Sequence, residues 1–248
     1  MVTAYDASMA RLVDAGGADM VLVGDSLGMV IQGQPDTLSV SVDDMVYHGR
    51  CVAMGLARAH LTVDMPFMSY QVSVEQALTT AGRLVREGKA QSVKLEGGVR
   101  SAPAIRAIVE AGIPVVGHVG LTPQSVHAFG GFKVQGRDEA NAARILADAQ
   151  AVAEAGAFCI VLEMIPAELA EKITAALPIP TVGIGAGAAC DGQVLVCNDY
   201  LGMDGRFRPR FGRRYAELDP LVVDATRRYV DEVKSGAFPL PEHSFKQA

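Results

Sequence analysis

The 248-residue sequence contains no tryptophan, only 6% aromatic residues, and four cysteines that form no CxxC pair. Cysteines without this spacing give no sign of a zinc finger or a disulfide framework, so buried or free thiols in a reducing compartment are expected. No apolar run approaches the roughly 20 residues that cross a bilayer, and no membrane-spanning helix is expected. Residues 1–10 lack the charged start and apolar core of a secretory signal, which predicts a cytoplasmic protein.

Negative charge predominates slightly, with 28 acidic and 22 basic residues and a net charge of −6. This balance does not favour binding to nucleic acid or to an anionic membrane, so neither is expected as a partner. Half of the residues are hydrophobic and 20% are charged. This composition suits a single compact domain with a large core over residues 1–248.

Short β-branched apolar runs alternate with helical patterns along the chain. The predicted strands are 1–4, 20–23, 60–63, 92–95, 114–117, 158–162, 181–184 and 194–196. The predicted helices are 8–15, 42–54, 74–87, 102–111, 138–155, 167–176 and 218–234. Eight strands that alternate with helices predict an α/β protein folded as a (β/α)8 TIM barrel. A doubly wound open sheet is the alternative, and it is less favoured because no GxGxxG motif opens the first helix.

Charged residues stand at the ends of five of these apolar runs. They are Asp25, Asp64, Lys94 with Glu96, His118 and Glu163. The C-terminal ends of barrel strands meet at one mouth, where catalytic groups lie. We therefore expect a metal-assisted enzyme site rather than scattered surface charge.

Two carboxylates, Asp25 and Asp64, follow successive strands. At a barrel mouth they would repel each other unless a cation lay between them. Hard oxygen ligands favour Mg²⁺, which commonly takes one or two carboxylates together with water and substrate oxygens. The alternative is that both residues cap helices or stabilise turns.

Lys94 and Glu96 project to the same side of an extended strand, so both can enter the site. Lys94 is predicted to bind a substrate carboxylate or an enolate oxygen as a point charge. Glu96 is predicted to contact the metal or its water. The alternative is a salt bridge between these two residues at the barrel rim.

Glu163 ends the most hydrophobic strand, and a carboxylate removed from water becomes a better proton acceptor. It is a candidate base, although a cap on the following helix explains it equally well. His118 is a candidate for polarising an oxygen or moving a proton, but a single histidine in an apolar setting is more often structural. The GIGAG sequence at 183–187 suits phosphate binding or the close approach of a planar ligand.

Several longer motifs occur in order along nearly the whole chain. They are TAYD at 3–6, VGDSLG at 23–28, DMPF at 64–67, VKLEGG at 93–98, GH at 117–118, GLTPQS at 120–125, GGFKVQG at 130–136, GIGAG at 183–187 with DGQ at 191–193, and EHSF at 242–245. With these motifs the sequence resembles the ketopantoate hydroxymethyltransferase family. The resemblance implies a (β/α)8 barrel of the kind found in phosphoenolpyruvate-utilising enzymes and isocitrate lyase.

The same resemblance implies a reaction and its partners. A hydroxymethyl group would pass from 5,10-methylenetetrahydrofolate to 3-methyl-2-oxobutanoate, giving 2-dehydropantoate for pantothenate synthesis with Mg²⁺ as cofactor. The family usually forms a homodecamer. Its members usually carry a helical segment before the first strand, and this segment is expected to be missing here because the chain begins almost at TAYD.

The family's site residues carry over to matching positions of this sequence. They are Asp25, Asp64 and Glu96 for the metal; Asp25, Ser26, Asp64, Lys94 and His118 for the keto acid; and Glu163 as general base. The loops at 183–187 and 120–136 are candidates for folate contact.

Two other functions share these acids. A Mg²⁺-dependent C–C lyase or aldolase of 2-keto acids would use the same enolate chemistry, but such lyases rely on a cysteine loop, and His118 stands at the corresponding strand end. A barrel kept only as a scaffold would be expected to have lost at least one of five residues that are all present: Asp25, Asp64, Lys94, Glu96 and Glu163.

Overall fold

The computed structural model describes residues 1–205 and 209–246. The chain forms two compact units, Met1–Cys197 and Asn198–Ala248. Within the described ranges, no helix combines the length and apolar character needed to cross a bilayer. A single domain over all 248 residues stays a prediction.

The first unit is built on eight parallel strands that pair in sequence order. They are β1 (Val2–Thr3), β2 (Met20–Val23), β3 (His60–Asp64), β4 (Ser92–Glu96), β5 (Val115–Gly120), β6 (Cys159–Glu163), β7 (Thr181–Ile184) and β8 (Gly192–Gln193). A parallel bridge between Val2 and Leu195 joins the first strand to the segment after the eighth. The predicted (β/α)8 arrangement is confirmed.

Ten α-helices occur in the described residues. They are α1 (Ala7–Ala15), α2 (Leu27–Val30), α3 (Val42–Ala53), α4 (Val74–Arg86), α5 (Ala102–Glu110), α6 (Val126–Phe129), α7 (Glu139–Glu154), α8 (Ala167–Ala176), α9 (Cys197–Tyr200) and α10 (Leu218–Ser235). All seven predicted helices are present with ends within one residue of those expected. The short helices α2, α6 and α9 were not predicted.

Four of the longer helices begin at residues that satisfy free backbone N–H groups. Asp6, Ser41, Ser73 and Asp138 each accept hydrogen bonds from the first turn of α1, α3, α4 and α7. Such caps typically contribute about 1 kcal/mol each. These caps fix where the helices start, and therefore how long the loops after the strands are.

The eighth strand differs from the prediction. The apolar run 194–196 was expected to form it, but β8 lies two residues earlier, where Gly192 pairs with Val182. The Asp191 carboxylate accepts the backbone N–H of Thr181 at 2.8 Å and sets this register. Val194 is buried, so its apolar character reflects core packing after the strand.

Register places the charged residues at one end of the sheet. The cross-strand partners are Asp64 with Lys94, Glu96 with His118, and Gly120 with Glu163. Gly120 has φ +94°, and a Cβ there would lie 2.3 Å from the Glu163 carbonyl oxygen. Only glycine permits this close approach.

A second glycine, Gly117, lets β5 pack against α7, because a Cβ at this position would lie 2.3 Å from Val152 Cγ1. We expect Gly117→Ala to overpack this contact and lower the free energy of unfolding by about 1–3 kcal/mol. Chemical denaturation measures the change. Gly82→Ala is the control, since Gly82 lies in α4 with nothing near its Cβ position, and it should stabilise the protein by up to about 1 kcal/mol. Equal stability of the two variants would contradict the packing argument.

Candidate active site

The C-terminal end of the barrel gathers the predicted charged residues. Exposure is 5% or less for Asp25, Asp64, Lys94, Glu96 and His118. Burial of this many ionisable groups requires that they neutralise or hydrogen-bond one another.

Asp25 and Asp64 meet directly, because Asp64 Oδ2 accepts the backbone N–H of Asp25 at 3.0 Å. Neither is a helix N-cap: Asp64 ends β3, and Ser26 is the N-cap residue of α2. Burial, and next the charge of Asp64, raise the pKa of Asp25 to about 7, against the opposing effect of Lys94. The pair therefore behaves as two carboxylates that lack sufficient counter-charge.

Lys94 supplies the cation of the cluster. Its Nζ lies 3.0 Å from Asp64 Oδ1 and 3.3 Å from His118 Nδ1. Burial alone would lower the pKa of Lys94, but the carboxylates of Asp64, Glu96 and Asp25 outweigh it and raise the pKa. Lys94 on β4 thus forms its ion pair with Asp64 on the neighbouring strand β3. The alternative that the sequence left open was a salt bridge with Glu96 on β4 itself.

His118 lies between Lys94 and Glu163. Burial, and next the charge of Lys94, lower the pKa of His118, so the imidazole is neutral near pH 7. Because an ammonium group only donates, His118 Nδ1 is assigned as the acceptor and Nε2 as the protonated nitrogen. Nε2 lies 3.1 Å from Glu163 Oε2, outside hydrogen-bonding geometry.

Glu163 is the most accessible of the strand-end acids. Its side chain is 15% exposed, compared with 4% for Asp64 and 1% for Glu96. The expectation was that its hydrophobic strand would remove this carboxylate from water, but the carboxylate stands beyond the last buried residue of β6 and keeps partial access to solvent. The capping alternative is not supported either, since α8 begins after Pro166 without a side-chain cap.

Glu96 is fixed by contacts with Gln124 and His118. Its Oε2 accepts the backbone N–H of Gln124 at 3.1 Å, and Oε1 lies 3.7 Å from His118 Nδ1. Burial, and next the charge of Asp25, raise the pKa of Glu96 well above its ordinary value. Among residues 1–205 and 209–246, no three His, Cys, Asp or Glu side chains converge as a metal-ligand set. A direct metal ligand role for Glu96 stays a prediction.

The donor set fits Mg²⁺ bound through two protein carboxylates. Asp25 and Asp64 provide hard oxygen donors, and the buried Asp64 Oδ1 has the Lys94 ammonium as its ion-pair partner at 3.0 Å. Mg²⁺ usually keeps several waters and takes only one or two carboxylates, with substrate oxygens completing its shell. A site with two acids is therefore sufficient.

Three further polar contacts bear on the site. The Tyr5 hydroxyl lies 2.8 Å from Ser26 Oγ and fixes this hydroxyl next to Asp25. Gln124 donates from Nε2 to Asp25 Oδ2 at 2.8 Å, and the Tyr70 hydroxyl donates to Gln124 Oε1 at 2.8 Å. Gln124 and Tyr70 were not predicted, although Gln124 lies within the LTPQS motif that carried the resemblance.

The glycine-rich segment 183–187 follows β7. Gly185 and Gly187 have positive φ, and a Cβ on Gly187 would lie 2.6 Å from Ala167 Cβ of α8. Packing against this helix accounts for the glycine. Binding of folate or phosphate at this segment stays a prediction.

Fold and site together define a (β/α)8-barrel enzyme. Solved structures with this fold include a putative phosphonomutase from Burkholderia cenocepacia, with TM-score 0.62, 19% identity, and coverage of 95% of this chain and 91% of that one. Another is 2,3-dimethylmalate lyase, a PEP mutase/isocitrate lyase superfamily member, with TM-score 0.58, 18% identity, and coverage of 99% and 86%.

Sequence comparison gives the family. Residues 1–241 match the family model of ketopantoate hydroxymethyltransferase, and the chain belongs to this family. A protein from Pelobacter propionicus named 3-methyl-2-oxobutanoate hydroxymethyltransferase is 60% identical over 99% of this chain and 91% of its own length. A relative of the same name from Enterococcus faecalis is 54% identical over 99% and 90%.

The raised pKa of Asp25 predicts that this residue destabilises the metal-free protein. Its pKa is about 7 when folded and ordinarily 3.8, so the folded protein holds a proton that the unfolded chain has released, and stability falls as pH rises between these values. We expect Asp25→Asn to raise the free energy of unfolding by roughly 1–3 kcal/mol at about pH 8 and by less at about pH 5, since one pKa unit corresponds to about 1.4 kcal/mol.

Denaturation in the presence of a chelator measures this difference. Asp19→Asn is the control, because the Asp19 side chain is 91% exposed and its neutralisation should change stability little at either pH. A gain for Asp25→Asn that does not grow with pH would contradict the assignment.

Proposed function

We propose that this chain transfers a hydroxymethyl group from 5,10-methylenetetrahydrofolate to 3-methyl-2-oxobutanoate and forms 2-dehydropantoate for pantothenate biosynthesis. The observation that carries the proposal is the buried Lys94 ammonium, 3.0 Å from Asp64 Oδ1, at the same mouth as the Asp25 and Glu163 carboxylates. A 2-keto acid needs a fixed cation for its carboxylate and a base for its C3 proton, and this cluster has residues for both roles.

Binding of the keto acid falls to residues around Lys94. The ammonium group would hold the substrate carboxylate as a point charge, and the Ser26 hydroxyl, oriented by Tyr5, would donate a further hydrogen bond. Asp25 and Asp64 would hold Mg²⁺, which supplies Lewis-acid polarisation of the keto group when bound. Glu96 would help to hold these two metal ligands in place.

Proton removal falls to Glu163. Its carboxylate would take the C3 proton, and the electron pair of the broken C–H bond would form an enolate. Lys94 provides positive charge close to this developing negative charge. Neutral His118, with Nε2 3.1 Å from Glu163 Oε2, would lie beside the base without competing for the proton.

Carbon–carbon bond formation follows at C3. The enolate carbon would attack the one-carbon unit of methylenetetrahydrofolate, which is at the oxidation level of formaldehyde. Water would first displace the two folate nitrogens from this carbon and give formaldehyde, with the two hydrogens of water passing to those nitrogens. Attack of the enolate carbon on the formaldehyde carbon would then form the C–C bond, and the C3 proton taken by Glu163 would pass to the resulting alkoxide. One water is consumed overall and supplies the product hydroxyl, so no oxidant or reductant is required.

The proposal extends to folate contact, assembly and location. Folate would contact the glycine-rich segments 183–187 and 120–136. The protein would act in the cytoplasm as a homo-oligomer, most simply the decamer usual in the family, without nucleic-acid or membrane partners. The net charge of −6 supports the last point.

The activity itself is the first test. Purified protein with 3-methyl-2-oxobutanoate, methylenetetrahydrofolate and Mg²⁺ should form 2-dehydropantoate, detected by mass spectrometry. Omission of either Mg²⁺ or folate should abolish product formation. Product formed at an unchanged rate without folate would reject the transfer reaction, and cleavage of the keto acid would favour a lyase.

Glu163→Gln tests the base. The substitution keeps size and polarity but removes the proton acceptor, so exchange of the substrate C3 proton into D₂O should fall by at least about 100-fold, while keto-acid affinity changes little. Proton NMR follows exchange in the absence of folate. Glu168→Gln, on the exposed first turn of α8, is the control and should exchange normally. Normal exchange in Glu163→Gln would assign the base elsewhere.

A further inference from the structure

The Gln124 side chain occupies a central position that no catalytic role accounts for. It lies in the 3₁₀ turn Pro123–Ser125 that follows β5, and it is 6% exposed. Its Nε2 donates to Asp25 Oδ2 at 2.8 Å and to the Met65 carbonyl oxygen at 3.0 Å. Its Oε1 accepts from the Tyr70 hydroxyl at 2.8 Å and from Gln71 Nε2 at 3.0 Å.

The orientation of the Gln124 amide is determined by its partners. The Met65 carbonyl and the Asp25 carboxylate present oxygen acceptors to Nε2, so the NH₂ group must face them. The opposite side of the amide faces the Tyr70 hydroxyl and the Gln71 NH₂ group. All four contacts are consistent with one orientation of the amide. In this orientation Asp25 Oδ2 accepts a hydrogen bond from a donor whose position is fixed.

The main chain of Gln124 makes a second connection. Its backbone N–H donates to Glu96 Oε2 at 3.1 Å, while the backbone N–H of Glu96 donates to the Tyr70 hydroxyl at 3.1 Å. Gln124, a single residue in the turn that follows β5, thus connects Asp25, which follows β2, to Glu96, which ends β4. Movement of this turn would displace both carboxylates.

The chemical type of this side chain suits the position. A lysine or arginine here would neutralise Asp25 and compete with a divalent cation. A glutamate would add another acid to a cluster that already lacks counter-charge. An amide donates a hydrogen bond without adding a net charge, so it can orient Asp25 and leave its negative charge available.

We infer that Gln124 is a positioning residue that fixes the rotation of the Asp25 carboxylate for binding of the divalent cation, with Tyr70 holding the amide in register. The inference rests on the proposed function, because it assumes that Asp25 binds Mg²⁺ in the transferase reaction. Loss of outer partners of this type commonly weakens metal binding by 10–100-fold.

The test measures Mg²⁺ affinity in the presence of saturating 3-methyl-2-oxobutanoate by isothermal titration calorimetry. Gln124→Met keeps the length of the side chain but removes its hydrogen bonds, and we expect about 10-fold weaker Mg²⁺ binding. In turnover, the Mg²⁺ concentration for half-maximal rate should rise more than kcat falls. Tyr70→Phe, which leaves Gln124 in place, should weaken Mg²⁺ binding by a smaller factor in the same direction.

Gln76→Met is the matched control. The Gln76 amide also bridges two groups, accepting from the Val72 N–H and donating to the Met68 carbonyl, but both groups belong to the main chain. Its Mg²⁺ affinity should equal that of the wild type. Thermal unfolding of every variant separates folding from metal binding, because a purely structural role would lower Tm and leave the Mg²⁺ affinity of the folded protein unchanged.

Wild-type Mg²⁺ affinity in both Gln124→Met and Tyr70→Phe would overturn this role, while product formation by the wild type would leave the proposed function intact. If Gln124→Met does not fold, the Tyr70→Phe affinity decides in the same way. A wild-type protein that forms no 2-dehydropantoate would overturn the proposed function and this inference together.

Discussion

The site depends on one buried ion pair, between Lys94 Nζ and Asp64 Oδ1. Without the ammonium group, three nearly inaccessible carboxylates would face one another with no fixed counter-charge, at a cost of several kcal/mol. Even with Lys94 present, acids outnumber bases, and the pKa values of Asp25 and Glu96 are raised by burial. The proposed divalent cation would relieve this excess, which would explain why a destabilising cluster can persist at the mouth of the barrel.

Strand register determines which charged residues of this cluster lie next to one another. Neighbouring parallel strands offset their ends so that Asp64 lies opposite Lys94 and Glu96 opposite His118. Each charge is therefore next to a partner of different character on the adjacent strand. The Gly120–Glu163 pairing, which a side chain on residue 120 would prevent, extends the same order to the proposed base.

Most of this arrangement could be predicted from the sequence, because the end of a strand is marked by a local pattern of residues. Apolar runs that stop at a charged residue predicted the sheet order and the charged residues at its mouth. The eighth strand was predicted two residues too late because Gly192 and Gln193, which form it, are not apolar, whereas the buried run that follows them is. Gln124 was missed for a related reason: its importance comes from contacts with Asp25, 99 residues away, and no local pattern reports such a contact.

The different exposures of the acids support a division of roles. A metal ion is small compared with the substrate, so its proposed ligands Asp25 and Asp64 can be almost completely buried. A base must touch a carbon-bound proton on a substrate that enters and leaves, so it needs access from the mouth. Glu163, with a 15% exposed side chain, has this access and Glu96 does not. Accessibility, more than desolvation of its strand, therefore distinguishes Glu163 from Glu96 as the candidate base.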